Sequence, residues 1–228
     1  RFVVEPAPGA AAARNRGVAE SRGGTLLFLD ADCVPAPDWL DRAAALPAGR
    51  VVGGRIDLFD ETPAPRSGSQ AFETVFAFRQ RAYIARGVSV TATFAVPRAV
   101  FERVGPFRAR VAEDLDWCRR AAALGHAVRY DDTLRVAHPT RADWPALAAK
   151  WRRLTAEGYA LRPGGVPARL GWGLRAGLMA PSALAHAPRL LTHPALAPGE
   201  RVRGLATLLR LRLLRARWML AQALRGAA

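Results

Sequence analysis

The sequence predicts an α/β fold with a mixed, mainly parallel sheet, followed by a helical tail. Three observations point there. Thr25-Leu26-Leu27-Phe28-Leu29 is a short, uninterrupted apolar run, the right length for a strand covered on both faces. Strand-like and helix-like patterns alternate as far as about residue 140. Beyond residue 142 strand patterns stop, and Ala/Leu/Arg-rich helical stretches broken by prolines take over. The expected division is residues 1–142 for the α/β domain and 143–228 for the tail.

Taken in order, Phe2-Val3-Val4 reads as the end of a strand and Pro6 to Gly9 as a turn. Ala10 to Glu20 has a helical pattern, and Arg22-Gly23-Gly24 stops it. The apolar strand Thr25 to Leu29 runs directly into Asp30-Ala31-Asp32. Pro35 and Pro37 introduce a helix from about Asp38 to Ala45. Val51 to Leu58 reads as a strand, and residues 60–69 as a loop. Ala71 to Ala85 is helical and Val88 to Val96 is strand-like, rich in β-branched residues. Pro97 suits the first turn of a helix that ends before Gly105-Pro106. Ala112 to Leu124 is a helix with Gly125 as its stop, and Ala127 to Tyr130 is a further short strand.

Half of the 228 residues are hydrophobic, enough to build a core and too many for a disordered chain. Cys33 and Cys118 are too few for a disulfide framework or a zinc cluster, so they read as packing residues in a reducing compartment. No stretch resembles a signal peptide, and the opening on Phe2-Val3-Val4 suggests a start inside a domain. Of the net charge of +15, the segment from Arg141 onward supplies +12. A near-neutral body with a basic tail points to an attachment surface, with anionic lipid headgroups leading and a protein partner as the alternative. Nucleic acid fits poorly, because no pattern of stacking aromatics accompanies the arginines. Residues 170–191 are apolar but interrupted by Arg175, Pro181, His186, Pro188 and Arg189, which excludes a spanning helix. In residues 200–225 the arginines fall on several sides of the helix.

Two acidic groups carry the chemistry. Asp30 and Asp32 follow a buried strand, at the end where open α/β sheets bind ligands. Their spacing lets both carboxylates converge on one hard cation, although turn-forming aspartates also end strands. Glu113-Asp114 opens a helix, where acidic residues also serve as caps. His138 stands alone before Pro139, and Lys150-Trp151-Arg152-Arg153 reads equally as a solvated basic helix. His126, His186 and His193 have no recognisable context.

The order of these motifs resembles the inverting family-2-type GT-A glycosyltransferases over residues 2–160. One half of the resemblance lies in Ala12-Ala13-Arg14-Asn15-Arg16-Gly17, Leu27-Phe28-Leu29-Asp30-Ala31-Asp32 and Pro37-Asp38-Trp39-Leu40. The other half lies in Thr91 to Arg98, Val104 to Phe107, Glu113 to Asp116 and Gly125-His126.

The resemblance implies a nucleotide-diphosphate sugar donor, a glycan or lipid-linked acceptor, and Mn²⁺ or Mg²⁺. It implies that Asp32, Asp30 and His138 serve the metal, and that Arg14, Asp30, Asp32, Arg152 and Arg153 serve the donor. Asp114 is then the catalytic base and Glu113 its acceptor-orienting neighbour, with Thr91, Thr93 and Trp117 on the acceptor side. Asp116 is structural. Thr93 departs from the Asn frequent in relatives. The family's first strands lie upstream of the Ala-Arg-Asn helix, so the sheet is expected to lack them and to present an open edge. Cell-envelope glycans and the inner face of the cell membrane are the setting by analogy. A non-catalytic scaffold or membrane-associated binding module that keeps these motifs is the competing reading.

Overall fold

The computed structural model describes residues 1–225. It divides into two compact units. The first comprises Arg1–Asp57 and Phe78–His138, and the second Leu58–Ala77 together with the chain from Pro139 onward. The second unit thus draws on two stretches of the chain, the segment after Asp57 packing with the C-terminal helices.

The elements run α1 (Ala10–Glu20), β1 (Thr25–Leu29), β2 (Val34–Pro35), α2 (Trp39–Ala44), β3 (Val52–Phe59), α3 (Gly68–Phe76), α4 (Gln80–Ile84), β4 (Thr93–Pro97), α5 (Arg98–Val104), α6 (Glu113–Ala123), β5 (Arg129–Pro139), α7 (Trp144–Ala160), α8 (Val166–Gly177), α9 (Pro181–Leu191) and α10 (Pro198–Arg225). Five strands form one sheet in the order β1-β4-β3-β5-β2. β4 pairs antiparallel with both β1 and β3, and β2 pairs antiparallel with β5. Along β3 and β5 the bonds from Arg129 N–H to Val51 O and from Thr140 N–H to Phe59 O advance in the same sense, so these strands are parallel. β1, β3 and β5 thus share one direction, and the fold is the mixed α/β class with C-terminal helices that the sequence predicts.

The apolar run at β1 is explained by burial on both faces. Leu26 and Phe28 enter one cluster with Phe94, Val96 and Trp117, while Leu27 faces a second cluster with Val52, Ala95 and Leu134. Alternate residues point to opposite faces, so the register Phe28↔Phe94 and Leu27↔Ala95 feeds both clusters. The first cluster is aromatic at its centre. Trp117 stacks on Phe101 at 5.9 Å and meets Phe94 edge-on at 5.5 Å. Gly54 in β3 is there for space: a Cβ would sit 2.0 Å from Leu134 O and 2.8 Å from Thr93 Oγ1.

In the second unit α3 starts with a capping box, in which Ser67 Oγ accepts from Gln70 N–H while the Gln70 side chain accepts from Ser67 N–H. α3 lies against α10 where Ala71 meets Gly204, whose added Cβ would come within 3.2 Å of the Ala71 methyl. Glu73 of α3 is 1 % exposed and takes three bonds: Lys150 Nζ at 2.6 Å, Arg141 N–H at 2.8 Å and the Arg141 guanidinium at 3.4 Å. Both cations hold its carboxyl below the usual range against the opposing effect of burial.

Several local expectations are corrected. Phe2-Val3-Val4 forms no strand; Phe2 and Val4 are fully or largely exposed and have no ladder to join. The helix expected over 71–85 is broken, because Ala77 is extended and Phe78 has φ +46. The strand expected from Val88 begins only at Thr93. The short strand expected at 127–130 is the start of the eleven-residue β5.

Candidate active site

Arg14 on α1 joins the two acidic groups. Its Nη2 donates to Asp30 Oδ1 at 2.8 Å and its Nη1 to Glu113 Oε1 at 2.9 Å, with Asp114 Oδ1 at 4.0 Å from the same nitrogen. The three carboxylates and the guanidinium are all partly buried. Next to Arg14, Asn15 clamps the loop before α6: its amide donates to Phe107 O and accepts from Phe107 N–H, both at 2.9 Å. The Ala-Arg-Asn stretch therefore fastens α1 to the segment that launches α6. Sequence reasoning gave Asn15 no role, and nothing local signals a bond to a residue this distant.

Glu113, Asp114 and Asp116 occupy the first turn of α6, where the free N–H groups and the helix dipole favour negative charge. Asp116 turns away to Arg120 at 2.9 Å and Arg108 at 3.3 Å, a structural pairing. Asp114 keeps about a quarter of its side-chain surface open (24 %), yet its Oδ1 is sealed and makes no hydrogen bond. Burial pushes its carboxyl up to about 7; Arg14 opposes this, and the negative charges of Glu113 and Asp30 add to it. Thr91 Oγ1 is likewise sealed and without a hydrogen bond. It lies close enough to Asp114 to favour the ionised form slightly.

The second part of the site sits at the ends of β1 and β5, which share a direction and so present their carboxyl ends together. Val34↔Ala137 pairing in the β2–β5 ladder draws the Asp32 turn beside His138. His138 Nε2 lies 3.4 Å from Asp32 Oδ2, and the imidazole packs on Phe78 at 4.1 Å between ring centres. Asp32, Cys33 and His138 each offer a ligand atom within 4.8 Å of the others. This donor set fits a divalent cation: a carboxylate oxygen and an imidazole suit Mn²⁺, and half-exposed Asp32 leaves room for further oxygens. Asp30 is not in this group; its Oδ1 accepts from Arg14. Cys33 was read only as a packing residue; burial beside Asp30 and Asp32 pushes its thiol up to about 12.

The remaining candidates fall elsewhere. Trp117 is 0 % exposed, and its indole N–H donates to Gly105 O at 3.0 Å, so it belongs to the aromatic core and offers no surface to an acceptor. Thr93 is also sealed, and its Oγ1 accepts from Trp39 Nε1 at 3.3 Å. Arg152 and Arg153 lie on α7 in the second unit, both exposed, with Arg153 3.8 Å from Glu157.

A mixed sheet with acidic groups at the carboxyl ends of its co-directional strands is an α/β arrangement that places a polar site where such sheets bind ligands. Residues 1–109, just under half of the chain, match the model of Glycosyl transferase family 2. Arg14, Asp30 and Asp32 lie inside the matched residues, and Glu113, Asp114 and His138 beyond them. Glycosyltransferase AglE of Haloferax volcanii is 29 % identical over 146 residues, which is 61 % of this chain. The matched stretch spans 47 % of that relative, about half its length. Among solved structures, mannosyltransferase PcManGT from Pyrobaculum calidifontis, in complex with GDP-Man and Mn²⁺, aligns at 17 % identity with a TM-score of 0.44. That alignment covers 96 % of this chain and 56 % of the other.

Proposed function

We propose that the chain transfers a sugar from a nucleotide-diphosphate donor to an acceptor hydroxyl, with inversion at the anomeric carbon. The observation that carries this reading is the Arg14 bridge, which gathers Asp30, Glu113 and Asp114 into one cluster. Inverting transfer is a direct displacement, so the attacking hydroxyl must lose its proton as the new bond forms. Asp114 takes that proton. A carboxylate whose pKa is pushed up to about 7 is matched to removing a proton near neutral pH. Glu113, anchored by Arg14, orients the acceptor. Arg14 is a positioning residue: its guanidinium is engaged by carboxylates, and it holds Asp114 toward its ionised form.

Asp32 and His138 would hold Mn²⁺ or Mg²⁺, which would supply positive charge to the departing diphosphate. Asp30 faces the donor with its remaining oxygen. The acceptor is a glycan or lipid-linked hydroxyl.

The reading is tested by incubating the chain with a panel of nucleotide sugars, Mn²⁺ and simple glycosides, and reading the anomeric configuration of the product by NMR. Transfer with inversion is expected. Transfer with retention, or none in any combination, overturns the reading.

A further inference from the structure

Helix α8 carries its leucines on the outside. Val166, Leu170, Leu174 and the capping residue Leu178 recur at every fourth position and form one stripe. Leu174 is 75 % exposed, whereas Trp172 on the opposite side is 5 % exposed. Pro167, Gly171 and Gly177 fill the rest of the outward arc, so no charged side chain interrupts it. A surface helix of a soluble domain normally has the reverse arrangement. The next helix, α9, repeats the feature with Leu184 at 80 % exposure.

Charge indicates what covers this face. No Asp or Glu occurs from Gly158 to Gly199, while Arg162, Arg169, Arg175 and Arg189 do. Exposed Arg175 borders the apolar arc. A second copy of the chain would set these arginines against their own kind. A surface of phosphate headgroups over hydrocarbon complements both features together. With twelve residues, α8 is about 18 Å long at about 1.5 Å per residue, too short to cross a bilayer. No described helix is long and apolar enough to do so.

We propose that the α8 face docks on an anionic membrane surface, its axis in the plane of the bilayer. Leu170 and Leu174 enter the acyl boundary, and Arg175 and Arg189 meet the headgroups. This inference is independent of the sugar-transfer reading and is tested without it.

The full chain is co-sedimented with vesicles of phosphatidylcholine alone and with one quarter phosphatidylglycerol, and its mass in solution is measured by light scattering. Binding to the anionic vesicles is expected, with at least a tenfold loss in Leu170→Glu/Leu174→Glu. These side chains are exposed, so thermal unfolding of the variant should match the parent. Binding unchanged by the double substitution, or absent from anionic vesicles at low salt, overturns the proposal. So does a parent dimer that the same substitution turns into a monomer, which would assign the face to a second copy.

Discussion

Arg14 and Glu113, 99 residues apart in sequence, meet at 2.9 Å in the first unit. This pair is what makes one site out of two motifs. The same guanidinium holds Asp30 at 2.8 Å, so its removal leaves Asp30, Glu113 and Asp114 clustered without their cation.

Arg14→Ala should therefore cost stability as well as activity. A broken partly buried ion pair costs about 2–3 kcal/mol, below the range for fully buried pairs. Losing the cation also raises Asp114 further, so the acid limb of the pH–rate profile should move to higher pH. Urea denaturation and a pH profile check the two parts. Arg14→Lys should recover little, because an ammonium cannot engage two carboxylates in a fork.

Asp114 should also shape the pH dependence of stability. A carboxyl whose folded pKa is raised to about 7 binds its proton more tightly when folded than when unfolded. Its contribution is then unfavourable, growing as pH climbs from the unfolded value near 4 to about 7 and constant above. Asp114→Asn removes that penalty. Thermal unfolding should show the variant gaining about 2 kcal/mol on the parent between pH 5 and pH 8, at 1.36 kcal/mol per unit less some solvent screening.

Two glycines should respond in opposite directions. Gly54→Ala drives a methyl into Leu134 O and should cost about 3 kcal/mol or more. Gly17 lies inside α1 with nothing within 4 Å of an added Cβ, so Gly17→Ala should gain about 0.5–1 kcal/mol. Chemical denaturation of both variants checks the contrast.

In the second unit Glu73→Gln should destabilise by about 3 kcal/mol, because it removes the negative charge that Lys150 and Arg141 both face. Its carboxyl is depressed, so the stability it gives is present above the unfolded pKa and lost as pH falls through the folded value. Denaturation midpoints of parent and variant should therefore differ at pH 7 and draw together only as the pH falls below the ordinary glutamate value.

The sequence was most legible where burial is simple. The apolar run of β1 announced a strand covered on both sides, and α1 and α6 fell within a residue or two of their expected ends. β5 was mostly hidden because Asp131-Asp132 looks like a turn. In the fold Leu134, Val136 and His138 point inward while Thr133 and Arg135 face solvent, a period-two pattern split by its polar half. The break at Phe78 left no composition signal, and the packing of α3 with α10 depends on contacts more than a hundred residues apart. For the site, the motifs gave the acidic residues but not their wiring. Trp117 and Thr93 were placed at the acceptor by resemblance, yet aromatic packing and the Trp39 bond seal them. Asn15 and Cys33 gained their places only through residues distant in the chain.

The central claim, that Asp114 removes the acceptor's proton, is tested most directly by single-turnover transfer with Asp114→Asn, alongside donor binding by calorimetry in the presence of Mn²⁺. Donor affinity should stay within about threefold while the transfer rate falls by about 10²–10⁴, the usual contribution of a positioned base. A variant that still transfers sugar within a few-fold of the parent rate would contradict it.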